Sequence, residues 1–192
     1  MRNGPFDVHP QYFAKGATVE EFFEKYVPEI AVWTSGGSSA LWGAVANRDP
    51  RARVVIANRL LDDGADATVS QENVNLLHIL FEKFEHDFEG EALLLRRLLE
   101  GGADINLKSR KWGPPLLTLY ENLELYDEVL GPFYDVIFSW PGIDGSVISS
   151  MSRNKNPRTL FEIVSHGSWG KPEMARRFTQ YQDSGPSAWP VQ

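Results

Sequence analysis

The sequence predicts an all-α fold: a helical repeat solenoid of about four units behind an N-terminal helical cap. Two stretches carry that expectation. Leu60-Leu61-Asp62-Asp63-Gly64-Ala65-Asp66 and Leu98-Leu99-Glu100-Gly101-Gly102-Ala103-Asp104 are near copies, and Asp104 follows Asp66 by 38 residues. In each, a Leu-Leu pair closes an apolar helical pattern, an acidic residue follows, and Gly-Ala-Asp ends the unit. Glycine just past the last periodic residue is the expected helix C-cap, because without a Cβ it enters the left-handed region freely. Asp then suits the start of a turn, where its carboxylate accepts from nearby backbone N–H groups. A third observation is a first helix that matches no later unit, as a cap on an array should.

The bulk numbers fit a single domain over residues 1–192, with a lead-in and cap helix at 1–32, repeats at 33–181 and a tail at 182–192. The absence of cysteine excludes disulfides and thiolate metal sites and leaves the redox compartment open. No apolar signal segment follows Met1, and the longest uncharged run, Ile30 to Asn47, is broken by Ser35-Gly36-Gly37-Ser38-Ser39. The expectation is a cytoplasmic protein with no membrane attachment. Net charge is −7, and its distribution is uneven: residues 62–135 carry six Lys/Arg against sixteen Asp/Glu. Such a field repels nucleic acid and attracts a basic partner, although it also serves as a plain solubilising face.

Taken in order, residues 1–17 read as an irregular, aromatic lead-in (Phe6, His9, Pro10, Tyr12, Phe13). Thr18-Val19-Glu20-Glu21 has the capping-box pattern and starts a helix with an apolar side of Phe22, Phe23, Tyr26 and Val27, ended by Pro28. Trp33 to Ser38 reads as a loop. Ser39 to Ala46 is a short helix, and Asp49-Pro50 opens a second one carried by Val54, Val55, Ile56, Leu60 and Leu61 to Gly64. The same order returns with Leu76-Leu77-His78-Ile79-Leu80-Phe81, an acidic turn around Glu85 to Glu91, and Leu93 to Leu99. A third copy runs from Pro114-Pro115-Leu116-Leu117 through Val129 to Phe138 and ends at Gly142-Ile143-Asp144. A fourth, degenerate copy has Thr159 to Val164 and a helix near Lys171 to Tyr181, with Pro172 in its first turn. The tail, Asp183 to Gln192, is turn-rich and expected to fray, with Trp189 as the residue that could dock it.

These units resemble ankyrin repeats. That family opens each repeat with a Thr-Pro-Leu-His-x-Ala helix start and runs its second helix into Leu-Leu-x-x-Gly-Ala-Asp. The opening is matched loosely by Ser39-Ala40-Leu41-Trp42-Gly43-Ala44 and Asn75-Leu76-Leu77-His78-Ile79-Leu80, and more loosely by Pro114 to Leu117. The ending is matched closely by Asp62 to Asp66 and Glu100 to Asp104. The spacing of 38 exceeds the family's usual ~33 residues, the extra length falling between the two helices of a unit.

No catalytic pattern is present. His9, His78, His86 and His166 are scattered without metal-ligand spacing; His78 falls on the repeat's structural histidine, and His86 on an exposed acidic turn with Asp87 and Glu89. Ser35 to Ser39 lacks the Gly-Lys-Ser/Thr ending of a phosphate loop and reads as the finger loop of the first repeat. Neither catalysis, metal nor cofactor is expected. Trp42, Phe81, Phe84 and Phe161 fall at helical spacing and are expected in the core. Trp112, after Lys108-Ser109-Arg110-Lys111, is either a partner anchor or a tryptophan folded onto the next repeat.

The resemblance implies partner contact through finger loops and the exposed positions of each first helix. The corresponding fingers are Gln71 and Glu72, Arg110 and Lys111, then Asn154 and Lys155; the helix positions are Glu82 with Lys83 and Glu121 with Asn122. A stand-alone ankyrin-like chain of this size resembles bacterial immunity proteins that block a cognate toxin. The expectation is therefore a non-enzymatic protein-binding module, monomeric when free, acting as an inhibitor of a basic toxin or effector. A general scaffold or regulator of a signalling partner is the alternative.

Overall fold

The computed structural model of the chain describes residues 8–148, 158–166 and 170–187. It is helix-rich, with ten helices and two small antiparallel hairpins among those residues. The helices are α1 (Pro10–Gly16), α2 (Val19–Lys25), α3 (Ala40–Val45), α4 (Pro50–Asp62), α5 (Leu76–Phe81), α6 (Phe88–Glu100), α7 (Pro115–Glu121), α8 (Gly131–Ser139), α9 (Leu160–His166) and α10 (Pro172–Ser184). They form two rows. Each odd-numbered helix packs on the next odd-numbered one, from α1 through α9, and α2, α4, α6, α8 and α10 do the same behind them. One apolar core runs between the rows from Ala14 to Tyr181, through fully buried Leu41, Leu60, Leu77, Leu98, Phe133 and Phe178.

The helix ends follow from local chemistry. Gly64, Gly102 and Gly142 have φ of 90°, 95° and 90°, the left-handed region that a Cβ would strain. Two residues on, Asp66, Asp104 and Asp144 accept from the backbone N–H of Thr68, Asn106 and Ser146 at 2.8, 2.8 and 2.9 Å. Thr18 and Glu21 close the capping box on α2.

The lead-in is a correction to the sequence expectation, because Pro10 to Gly16 is helical, not irregular. Proline at its first position and Ala14 at its centre suit a short helix held by packing. Its partner is Gly43 in α3, where a Cβ would stand 2.0 Å from the Gln11 carbonyl oxygen. The Trp33–Ser38 loop contains a hairpin, β1 (Thr34–Ser35) with β2 (Ser38–Ser39), turned by Gly36 and Gly37. A second hairpin, β3 (Ser70–Gln71) with β4 (Val74–Asn75), stands in the equivalent place.

Short helices leave their last carbonyls unsatisfied, and here a side chain of the following unit reaches back to them. Asn47 donates to the carbonyls of Ala14 and Ala17 at 3.0 and 2.9 Å. Lys83 donates to Ala46 at 3.1 Å, Asn122 to Phe81 and Lys83 at 3.1 and 2.9 Å, and Lys171 to Asn122 at 2.8 Å. The second row is tied differently. Arg53 of α4 and Glu91 of α6 form an ion pair with side chains 1% and 0% exposed, and His86 pairs with the same carboxylate. Farther on, Asp127 accepts from the Tyr134 hydroxyl at 2.6 Å and from the Glu173 N–H at 2.6 Å, so it caps α10 across 46 residues of sequence.

Candidate functional site

Three depressions lie beside the C-terminal ends of α1, α3, α5 and α7. The first, about 510 Å³, is lined by Tyr12, Lys15, Thr18, Asn47, Arg48 and others. The second, about 530 Å³, is formed by Arg48, Arg53, Glu82, Lys83, Phe84 and Glu85. The third, about 320 Å³, is lined by Glu82, Phe84, Trp112, Thr118, Glu121, Asn122, Leu123 and Glu124. Arg48 belongs to the first two, and Glu82 and Phe84 to the last two, so the depressions form one groove.

The groove follows from the repeat itself. Arg48, Phe84 and Leu123 each come one residue after a tie residue of the first row, namely Asn47, Lys83 and Asn122. With the tie side chain turned inward, the next residue projects outward. Phe84 is 68% exposed and Leu123 58%, against the expectation of a core Phe84. That correction has a simple cause: α5 stops at Phe81, so the helical period that would have buried Phe84 does not continue.

Charge changes sign along the groove. Lys15 and Arg48 stand at the α1 end, and Glu82, Glu121 and Glu124 at the α7 end. Glu121 is half-buried, and burial pushes its carboxyl above the usual carboxylate range. Trp112 is half-buried too, with its ring 6.3 Å from that of His78 and the Lys111 ammonium 4.6 Å from its centroid.

Of the residues singled out from sequence, Glu82, Lys83, Trp112, Glu121 and Asn122 come together in this groove. Lys83 and Asn122, however, are committed to main-chain carbonyls within the chain, and burial lowers the Lys83 ammonium below its ordinary value. Gln71 donates to the Gly37 carbonyl at 3.0 Å and so joins the two hairpins, while Glu72 is exposed at the turn. Arg110 and Lys111 are exposed on the third finger, where Ser109 and Gly113 exchange backbone hydrogen bonds. Asn154, Lys155 and Trp189 lie outside the described residues.

His78 has the structural place expected for it. Its Nε2 faces the Gly113 carbonyl at 3.0 Å, its Nδ1 lies 2.8 Å from the Asn75 Oδ1 and 3.2 Å from the Asn75 backbone nitrogen, and burial pushes its pKa down. His86 is not on an exposed turn. Its side chain is buried between Phe88 and Phe133, with Nδ1 on Glu91 and Nε2 on the Lys83 carbonyl at 3.1 Å. Among the described residues, no group of three or more His, Asp or Glu is placed to hold a metal ion. Nor is any helix there long and apolar enough to cross a membrane.

No family model matches the sequence, and no curated protein matches it. Among solved structures, the fold is similar to that of a functionally unknown protein from Leptotrichia buccalis C-1013-b. The match has a TM-score of 0.67 at 24% identity, and it covers 91% of this chain and 92% of that one. The likeness is one of fold.

Proposed function

We propose that the chain is an ankyrin-like solenoid acting as a non-enzymatic protein-binding module, with a basic protein as its partner. Two stacked rows of helices, the hairpins before α3 and α5, and the recurring Gly-x-Asp ends support the repeat reading. The observation that carries the function is the groove. Phe84 and Leu123 project from it unpartnered among the described residues, edged by Glu82, Glu121 and Glu124. Exposed apolar side chains rimmed by charge mark protein-interaction surfaces, and the acidic α7 end of the groove favours a partner that presents positive charge there. The middle of the chain carries the whole acidic excess, which extends that field beyond the groove. In the most specific form of this reading, the partner is a basic toxin or effector, and seating it in the groove occludes its active surface.

The test compares retention of native-lysate proteins on the wild-type chain and on a Phe84→Ala/Leu123→Ala variant, washed at low and high salt. The reading expects a basic protein held by the wild type, released by salt and not held by the variant. Inhibition of that protein's activity by this chain carries the toxin version. Equal retention on both chains refutes the groove as the binding surface.

A further inference from the structure

We propose that the third depression, between Phe84 and Leu123, receives the guanidinium of an arginine side chain presented by the partner. This rests on the protein-binding reading and names the chemistry of its most selective point.

The depression offers what a guanidinium needs and little that suits another group. Phe84 and Leu123 give it exposed apolar walls, and Trp112 a half-buried indole. Planar, weakly hydrated guanidinium stacks on such surfaces more readily than a compact ammonium does. The Lys111 ammonium already lies 4.6 Å from the indole centroid, so the ring holds a cation of the chain itself. Against that one positive charge stand three carboxylates, Glu82, Glu121 and Glu124. The Glu121 carboxylate makes neither a hydrogen bond nor an ion pair among the described residues, although it is half-buried. Thr118 lines the same depression, and its Oγ1 is buried without a hydrogen-bond partner among the described residues. A buried hydroxyl without a partner is uncommon, and a small side-chain rotation would turn this one toward an N–H donor seated in the depression. Arginine brings five donors in a fixed fork and no acceptor, which fits a wall of acceptors.

The test titrates the full chain with blocked Gly-Arg-Gly, Gly-Lys-Gly and Gly-citrulline-Gly peptides, following the indole N–H signal of Trp112 by NMR. Citrulline keeps the shape of arginine without its charge. A charge-assisted hydrogen bond to a half-buried carboxylate is worth about tenfold or more in affinity, so citrulline should bind at least that much more weakly. Glu121→Gln should bring the arginine peptide down to the citrulline level. Glu82→Gln, at an exposed position where folding is not at stake, should weaken it several-fold. Glu89→Gln removes the same charge at an exposed position of α6 and should leave binding within twofold of wild type. Equal binding of arginine and citrulline, equal binding of arginine and lysine, or equal losses in Glu121→Gln and Glu89→Gln each overturn the proposal. A basic protein partner held equally by wild type and Glu121→Gln overturns the pocket and leaves the module standing. An arginine peptide seated as described, with no protein partner held by the groove, sinks the module and leaves the pocket.

Discussion

Replacing Glu91 by leucine should be among the most destabilising single changes in the chain. Its carboxylate is fully buried and answers two groups at once, Arg53 through Oε1 and His86 through Oε2. Arg53, 1% exposed, also donates from Nε and Nη2 to the Asn47 carbonyl at 3.1 and 3.0 Å and from Nη1 to Glu85 at 3.1 Å. Those carbonyls orient the guanidinium without neutralising it. Glu91→Leu therefore leaves a buried positive charge unpaired and a buried imidazole nitrogen without its acceptor. Breaking a buried pair in this way costs about 3–5 kcal/mol. For a domain of 192 residues, that corresponds to a fall in melting temperature of roughly 6–20 °C. Urea unfolding of wild type, Glu91→Leu, Arg53→Met and the double variant checks the argument. The double variant removes both charges, so the cycle should show coupling of about 2–3 kcal/mol, with Glu85 and Asn47 still missing their donor. A loss below about 1 kcal/mol in Glu91→Leu, or additive single changes, would refute the claim that one ion pair ties α4 to α6.

Gly43→Ala forces α1 off α3, because its Cβ has no space beside the Gln11 carbonyl; a loss of about 2–3 kcal/mol and early proteolysis within residues 8–17 should follow. His78, depressed below 6.5 by burial, prefers the neutral ring, so its contribution is complete above 6.5 and is lost as pH falls toward the folded value. Proton NMR titration of the ring should give that lower value, and His78→Gln should flatten the acid limb of a stability-against-pH curve. Glu121 has the opposite sign: raised by burial, its contribution is complete below 4.5 and is lost as pH rises through the folded value. Glu121→Gln should therefore raise the neutral-pH melting temperature, on the order of 1 °C by calorimetry, while it weakens arginine binding.

What was legible in the sequence is what local chemistry dictates. Gly64, Gly102 and Gly142 with their Asp partners marked unit ends because a left-handed cap and an Asx turn need those residue types wherever they stand. The Thr18–Glu21 box read correctly for the same reason. Pro10 to Gly16 did not, since seven residues give too little periodicity and their helix depends on Gly43, nearly thirty positions away. His86 beside Asp87 and Glu89 looked like surface charge, whereas the partners that bury it are Glu91 and, through it, Arg53. Asn122 looked exposed until its amide was seen to serve Phe81 and Lys83. Phe84 stands at a helical spacing, but α5 stops three residues earlier, and that same stop is what creates the groove.

The side chains that reach back, Asn47, Lys83, Asn122 and Lys171, all point the same way along the chain. The carbonyl ends of α1, α3, α5 and α7 are therefore finished by residues that come later in sequence. On a ribosome, where the N-terminus emerges first, each of these four helices waits for its successor. The growing protein is always one unit behind its own length, and α7 is complete only when Lys171 has left the tunnel. An arrest placed just before Lys171 should expose α7 to a protease that the released chain resists.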